Sequence, residues 1–307
     1  MAVSEVKVSV IVPFYGVEKY MGACAESLMR QTAWRDCEFI FVDDGSKDGS
    51  LAVLQEVLSR YPDRRVQLVR KENGGLPQAR LTGLKQASGT FVLHVDSDDW
   101  MEKDTVEKLL SAVQEAGADM AYCYVANEYR NGRHRVSWDR NYTTCRDYAY
   151  AMLHFHAHGY LCNKLIRRSL FRQDVFYPTI GMHEDMVLLG QILYYGGACV
   201  RVRRPLYHYR RDSESSISGE MKACRDAQSA RNFLQLIAFW RGRDHNPLQA
   251  SLPYLYAYCG WKALRYDASL LQDFPFLKEE VLSLTCSTLR IKYQYRLMRV
   301  KHWLKSI

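Results

Sequence analysis

Two runs of acidic residues stand where chemistry could be done. Asp43-Asp44-Gly45-Ser46-Lys47-Asp48 and Asp96-Ser97-Asp98-Asp99 each follow a short apolar segment that reads as a buried strand. In an open parallel sheet, ligands bind outside the carboxyl ends of the strands, so both runs fall where a ligand would lie. An Asp-x-Asp triplet on a tight turn can aim carboxylates at a hard divalent cation, which takes oxygen ligands and keeps diphosphate oxygens in its shell. Asp is also a common turn residue and helix N-cap, and one run alone would not separate the two readings. Two runs at neighbouring strand ends favour the ligand site.

A third acidic pair, Glu184-Asp185, opens a helical pattern, where the helix dipole favours the ionised form. Adjacent helical residues point about a quarter-turn or more apart, which implies that only one of the pair faces a given cavity. That one could take a proton from an attacking hydroxyl, with the other acid in a capping or supporting place. No G-x-x-x-x-G-K-[ST] and no G-x-G-x-x-G follows any strand, so phosphate would be held through metal. This points to a nucleotide diphosphate whose charge is neutralised by a cation on Asp98. His154, His156 and His158 alternate as on one face of a strand but have no Cys or acid at ligand spacing, so an acceptor-cleft or surface role is expected. Arg201, Arg203, Arg204, Arg210 and Arg211 could clamp phosphate or a lipid-linked acceptor, or form a solvated strand edge.

The elements that must position these residues alternate over residues 1–125. Val6, Val8, Val10 and Val12 recur at strand spacing, Tyr20, Cys24 and Leu28 at helical spacing, and the unit then repeats through strands at 38–42, 66–69, 90–95 and 120–125. Such alternation predicts an α/β fold, a doubly wound, mainly parallel sheet covered by helices. From 127 to 179 the periodicity blurs and a mixed, loop-rich region is expected. A helix is predicted over 184–195, ending at Gly196-Gly197, and from about 220 the pattern is helical only. The expected division is 1–125, an α/β half; 126–219, a mixed half; and 220–307, a helical appendage.

Composition narrows the classes. The chain has 307 residues, 48% hydrophobic and 25% charged, which excludes disordered and collagenous chains. A net charge of +8 suits phosphate-bearing ligands without demanding nucleic acid, and none is expected as a partner. Nine cysteines without a C-x-x-C pair indicate neither a disulfide framework nor a thiolate zinc site, so a reducing cytoplasm is the expected setting. The N-terminus lacks the layout of a secretion signal, and no apolar run approaches the roughly 20 residues that span a bilayer. Leu289, Tyr293, Leu297, Val300 and Leu304 form a helical stripe flanked by basic residues. Two destinations fit it: the inner face of an anionic membrane, or the protein's own body or a second copy of the chain in a homodimer.

The motifs taken in order carry a resemblance. Pro13-Phe-Tyr15-Gly-Val-Glu18-Lys-Tyr20, Asp43-Asp44-Gly45-Ser46, Asn73-Gly74-Gly75 with Ala79-Arg80 and Gly83, Asp96-Ser97-Asp98-Asp99, Asn163-Lys164-Leu165, Glu184-Asp185 and Leu206-Tyr-His-Tyr-Arg210 with Ser215 to Ser218 resemble those of the family 2 glycosyltransferases, inverting enzymes of the GT-A fold. The resemblance implies Pro13, Tyr15 and Glu18 around the base and ribose, and Asp43 or, preferably, Asp44 on the uracil edge. It implies Gly74 and Arg80 against the nucleotide-sugar, Asp96 on the ribose, Asp98 on Mn²⁺ or Mg²⁺, His208 and Arg210 near the diphosphate, and Asp185 as base. It also implies nucleotide-sugar binding for residues 1–125 and acceptor binding and catalysis for 126–219. Gly16 and Leu81 stand where the family usually has Asn, and the Trp common before Asn163 is absent, which bears on acceptor specificity. The implied activity is transfer of one sugar from a UDP-sugar to an acceptor hydroxyl, free or lipid-linked, in bacterial surface polysaccharide assembly. A sugar nucleotidyltransferase and a non-catalytic nucleotide-sugar-binding module are the alternatives.

Overall fold

Every residue of β1 (Val8–Phe14) is buried, which is why it shows apolar residues nearly throughout and sits in the middle of the sheet. The computed structural model describes residues 5–178, 183–211, 222–241, 243, 252–284 and 291–306. After β1 come α1 (Glu18–Met29), β2 (Cys37–Asp43), α2 (Ser50–Ser59), β3 (Val66–Arg70), α3 (Leu76–Gln86), β4 (Phe91–His94), β5 (Trp100–Met101), α4 (Thr105–Glu115) and β6 (Met120–Glu128). The second half holds β7 (His134–Ser137), α5 (Cys145–Leu153), β8 (Lys164–Arg167), α6 (Glu184–Tyr195) and β9 (Cys199–Arg210). Five helices end the described chain: α7 (Lys222–Trp240), α8 (Leu252–Tyr266), α9 (Leu270–Asp273), α10 (Phe276–Ser283) and α11 (Ile291–Ser306).

The sheet runs β3-β2-β1-β4-β8-β6-β9-β5, with β7 paired to β6. The first four strands are parallel, as the alternation predicts. β8 then enters antiparallel between β4 and β6, so β6 keeps the direction of β4 without touching it. β9 pairs parallel to β6, and β5 antiparallel to β9. This is the mixed part of the sheet, and it places the ends of β1, β2 and β4 opposite the start of α6.

The region expected to be loop-rich contains a helix. In α5 the residues Cys145, Tyr148, Ala149, Ala151, Met152 and Leu153 are buried and only Arg146, Asp147 and Tyr150 are exposed, a narrow face that marks the helical period weakly. Its N-terminus carried a readable signal, since Thr144 accepts from the Asp147 backbone N–H at 3.0 Å and their side chains pair at 2.8 Å.

One apolar cluster fills the space beneath α1, α2 and α4; a second joins Tyr122 and Ile166 of the sheet to α5, α6, α7, α8 and α11. Leu297, Val300 and Leu304 lie in the second cluster, each no more than 1% exposed. These three residues of the tail stripe are therefore core, packed on the protein's own body, and not a membrane-facing surface. Leu289 and residues 215–218 lie outside the described residues. Among the described residues no helix is long and apolar enough to cross a membrane.

Candidate active site

At the carboxyl ends of β1, β2 and β4 a cleft of about 750 Å³ opens, walled on its far side by the start of α6 and by residues 155–160. Arg80 is its hub. Gly75, at φ +84°, lets the chain turn into α3 with Pro77 in the first turn, and Arg80 follows one turn later, 1% exposed. Its Nη2 donates to Asp96 Oδ1 at 2.8 Å and its Nη1 to Glu184 Oε1 at 2.9 Å and to Asp185 Oδ1. Burial works against its charge, but Asp185, Asp96 and Glu184 hold its pKa well above the ordinary value.

Both members of the Glu184-Asp185 pair thus reach one guanidinium nitrogen and line one cleft. This corrects the expectation that only one could face it. They are the first two residues of α6, and His183 before them takes the left-handed conformation at φ 60°, so both side chains converge from the helix end. Asp185 Oδ2 also accepts from the Leu161 backbone N–H at 3.1 Å.

The acids outnumber the guanidinium. Burial pushes Asp96 up to about 6; Arg80 opposes the rise, and Asp185 and Asp98 add to it. Glu184 is raised well above its ordinary value by burial and then by Asp185, so it carries its proton more readily than a free glutamate. Asp99 is raised by burial and by Asp98 and Asp96; its oxygens accept from the Tyr207 hydroxyl at 2.8 Å and the Arg210 backbone N–H at 2.7 Å. Asp96, Asp99 and Cys162 lie close enough to share an ion, yet both Asp99 oxygens are engaged and burial holds the Cys162 thiol protonated. The half-buried Asp98 and Asp96 line the cleft and are the better oxygen donors for a hard cation. The crowding of carboxylates fits such an ion.

The other expected residues divide between wall and support. Pro13, Tyr15 and Asp44 line the cleft. Asp44 accepts from Lys71 Nζ at 2.6 Å, from the Gly74 N–H at 3.0 Å and from the Gly75 N–H at 2.8 Å, so it shapes the Asn73-Gly74-Gly75 loop and leaves one Oδ2 acceptor position open. Asp43 is fully buried, accepts from the Ser46 N–H at 2.8 Å and pairs with Arg70 at 3.2 Å; it does not line the cleft. Glu18 accepts from the Gly49 N–H at 2.9 Å and also lies outside the wall. His208 is spent on Glu128 at 2.8 Å and Glu102 at 3.0 Å and stacks on Trp100. Arg210 donates through Nε to the Asp98 carbonyl at 2.9 Å, its guanidinium lying over Tyr20 and Trp100. Both sit behind the Asp96–Asp99 turn, because β9 runs along the outer side of that turn; they brace it and do not line the cleft.

Residues 154–158 follow α5 and are not a strand; the His154 and His156 rings stack at 6.3 Å, and of the three histidines His158 is on the cleft wall. Arg201 donates to the Asp139 carbonyl at 2.8 Å and Arg204 pairs with Asp104 at 2.5 Å, which leaves neither as a phosphate clamp. The wall residues with no role assigned from sequence include Tyr160 and Tyr209, whose rings stack at 5.8 Å. Tyr209 stood inside the 206–210 motif; Tyr160 had no local signal.

Residues 9–174, more than half of the chain, match the family model for glycosyl transferase family 2. The chain is 32% identical to the putative glycosyltransferase EpsH of Bacillus subtilis over 211 residues, covering 66% of this chain and 60% of EpsH. It is 43% identical to glycosyltransferase GlyA of Streptococcus pneumoniae over 123 residues, covering 40% of this chain and 17% of GlyA. Among solved structures, residues 1–349 of Staphylococcus aureus TarS in complex with UDP-GlcNAc superpose with a TM-score of 0.70 at 18% identity, covering 97% of this chain and 89% of that one. The mannosyltransferase PcManGT of Pyrobaculum calidifontis, in complex with GDP-Man and Mn²⁺, gives 0.62 at 18% identity over 98% and 88% of the two chains. The mixed sheet and carboxylate cleft are thus a GT-A architecture, and the chain belongs to glycosyl transferase family 2.

Proposed function

We propose that the protein is an inverting glycosyltransferase that moves one sugar from a nucleotide diphosphate donor of the UDP-sugar class to an acceptor hydroxyl during synthesis of a bacterial cell-surface polysaccharide. The observation that carries this is the convergence of Asp96, Glu184 and Asp185 on Arg80, in a cleft that Asp98 and Asp44 also line. Residues 1–125 supply the donor half and 126–219 most of the acceptor half.

Pro13, Tyr15 and Asp44 receive the base and Asp96 the ribose. Asp98, with Asp96 nearby, would hold Mn²⁺ or Mg²⁺, which when bound offsets the diphosphate charge. Arg80 holds Asp185 in place, and Asp185 takes the proton from the attacking hydroxyl. Glu184, raised by burial, serves as the second acid that positions Arg80. Arg210 and His208 keep the Asp98 turn in shape from behind.

A thermal-shift panel of UDP-, GDP- and dTDP-sugars with and without Mn²⁺ tests this, because a ligand that binds only the folded state raises Tm. A rise with UDP-sugars that needs Mn²⁺ is expected. No rise with any nucleotide-sugar would refute the reading.

A further inference from the structure

The roles above leave one part of the cleft wall unused. His158 lies there, its Nδ1 2.7 Å from Oδ1 of Asp139, a residue 3% exposed. The same oxygen accepts from the His158 backbone N–H at 2.9 Å, and Oδ2 accepts from the Tyr148 hydroxyl at 2.5 Å. Burial works to raise the Asp139 carboxyl, but the His158 hydrogen bond and the Lys164 charge outweigh it and hold the carboxyl below its ordinary value. Asp139 is therefore an anion and can only accept, so Nδ1 carries the hydrogen in this contact. In a neutral imidazole Nε2 is then left as an acceptor, and among the described residues it makes no hydrogen bond.

The ring is held from other sides too. It stacks on Tyr160 at 5.2 Å, and Tyr160 stacks on Tyr209. Lys164 Nζ donates to the carbonyls of Tyr160 at 2.6 Å and His158 at 3.2 Å, which fixes the backbone that carries both rings. Three residues farther on, Leu161 donates its N–H to Asp185. An oriented acceptor nitrogen on a cleft-lining, partly exposed ring, on the same short segment as a contact to Asp185, is a built feature, and packing alone does not require it.

We propose that His158 binds the acceptor: Nε2 accepts a hydrogen bond from a hydroxyl of a saccharide and holds that sugar beside Asp185. This rests on the transferase reading and names its acceptor side. The chemistry also selects the class, because an Nε2 lone pair accepts from a neutral hydroxyl and has no proton to offer an anion. The part of the acceptor that reaches this wall is thus a neutral sugar ring, not a phosphate or a carboxylate.

The test uses the full chain with ¹⁵N-labelled histidine, loaded with UDP and Mn²⁺. It is titrated with methyl β-D-glucopyranoside, methyl β-D-galactopyranoside and methyl N-acetyl-β-D-glucosaminide, with glycerol 3-phosphate as the anionic control. Long-range ¹H–¹⁵N spectra should show Nε2 of His158 unprotonated in the free protein, and at least one glycoside should move it while glycerol 3-phosphate does not. His158→Phe keeps a ring against Tyr160 but removes the acceptor; it should bind that glycoside about three- to tenfold more weakly, the net worth of one hydrogen bond, with UDP affinity unchanged. A protonated Nε2, a resonance that no glycoside moves, or undiminished glycoside binding in His158→Phe overturns the proposal. If His158 is only a structural pin, the variant lowers Tm and leaves glycoside affinity alone, which also overturns it. Should the variant not fold, the wild-type spectra still decide. UDP that fails to bind the wild type refutes the transferase reading itself, whereas UDP binding with a silent His158 refutes this inference alone.

Discussion

His94 offers a quantitative handle on the interior behind the cleft. It lies on β4, 2% exposed, and among the described residues neither ring nitrogen has a hydrogen-bond partner. Burial, followed by the Arg80 charge, pushes its pKa down to about 3, with Asp185 opposing. The unfolded chain has an imidazole near 6.5, so between about 3 and 6.5 the unfolded state binds more protons and stability is lost as pH falls. For those two values the loss between pH 7 and pH 5 is about 2 kcal/mol. His94→Leu has nothing to titrate there, and it also removes two unpartnered buried nitrogens, each costing about 1–3 kcal/mol when unmade. With about 2.1 cal/mol/K of unfolding entropy per residue, 2 kcal/mol in a chain of this length is about 3 °C. The variant should therefore melt at or above wild type at pH 7, and its advantage should grow by about 3 °C at pH 5. Asp96 and Glu184, raised by burial, titrate in both proteins and largely cancel in the difference. Scanning calorimetry of the two chains at both pH values checks it; an unchanged gap would mean that His94 is not held neutral by burial.

Asp185→Asn keeps size and shape but cannot take a proton, so release of UDP from a donor sugar should fall by about 100-fold or more with donor affinity nearly unchanged. If Glu184→Gln shows that loss instead, the base is the other acid. In Gly83→Ala the new Cβ would meet Ile11 Cγ2 at 2.4 Å and Val42 Cγ2 at 3.2 Å, where α3 lies on β1 and β2; a cost of about 1–3 kcal/mol in urea unfolding is expected, with the UDP affinity of the folded protein kept. Leu297→Ala should cost about 2–5 kcal/mol of stability, since its side chain is fully buried in the second core cluster; an unchanged Tm with loss of binding to anionic vesicles would return the tail to the membrane.

The strand-end carboxylates of the cleft were legible because their placement is local. Asp44, Asp96 and Asp98 stand at strand ends, strand ends follow from period-two apolar runs, and Gly75 with Pro77 marks the turn into α3. The opposite wall was not, since its decisive contacts cross large sequence separations. Arg80 meets Glu184 and Asp185 across more than a hundred residues, and β8 finds its place between β4 and β6 only through pairing. His208 and Arg210 sit in a recognisable motif, but a motif does not say on which side of a turn its strand passes. The tail stripe was seen correctly as amphipathic, yet amphipathicity leaves open what covers it, and α8 and α10 do.

The most direct measurement is calorimetric titration of UDP into the full chain and its Asp98→Ala variant, each with Mn²⁺ and again after excess EDTA. Asp98 is half-buried on a turn, so the variant should keep the fold. UDP should bind the wild type with Mn²⁺, the affinity should collapse on chelation, and Asp98→Ala should show the weak, metal-indifferent binding from the start. Equal UDP affinity in all four titrations, or no binding in any, would contradict a nucleotide diphosphate site built on these carboxylates.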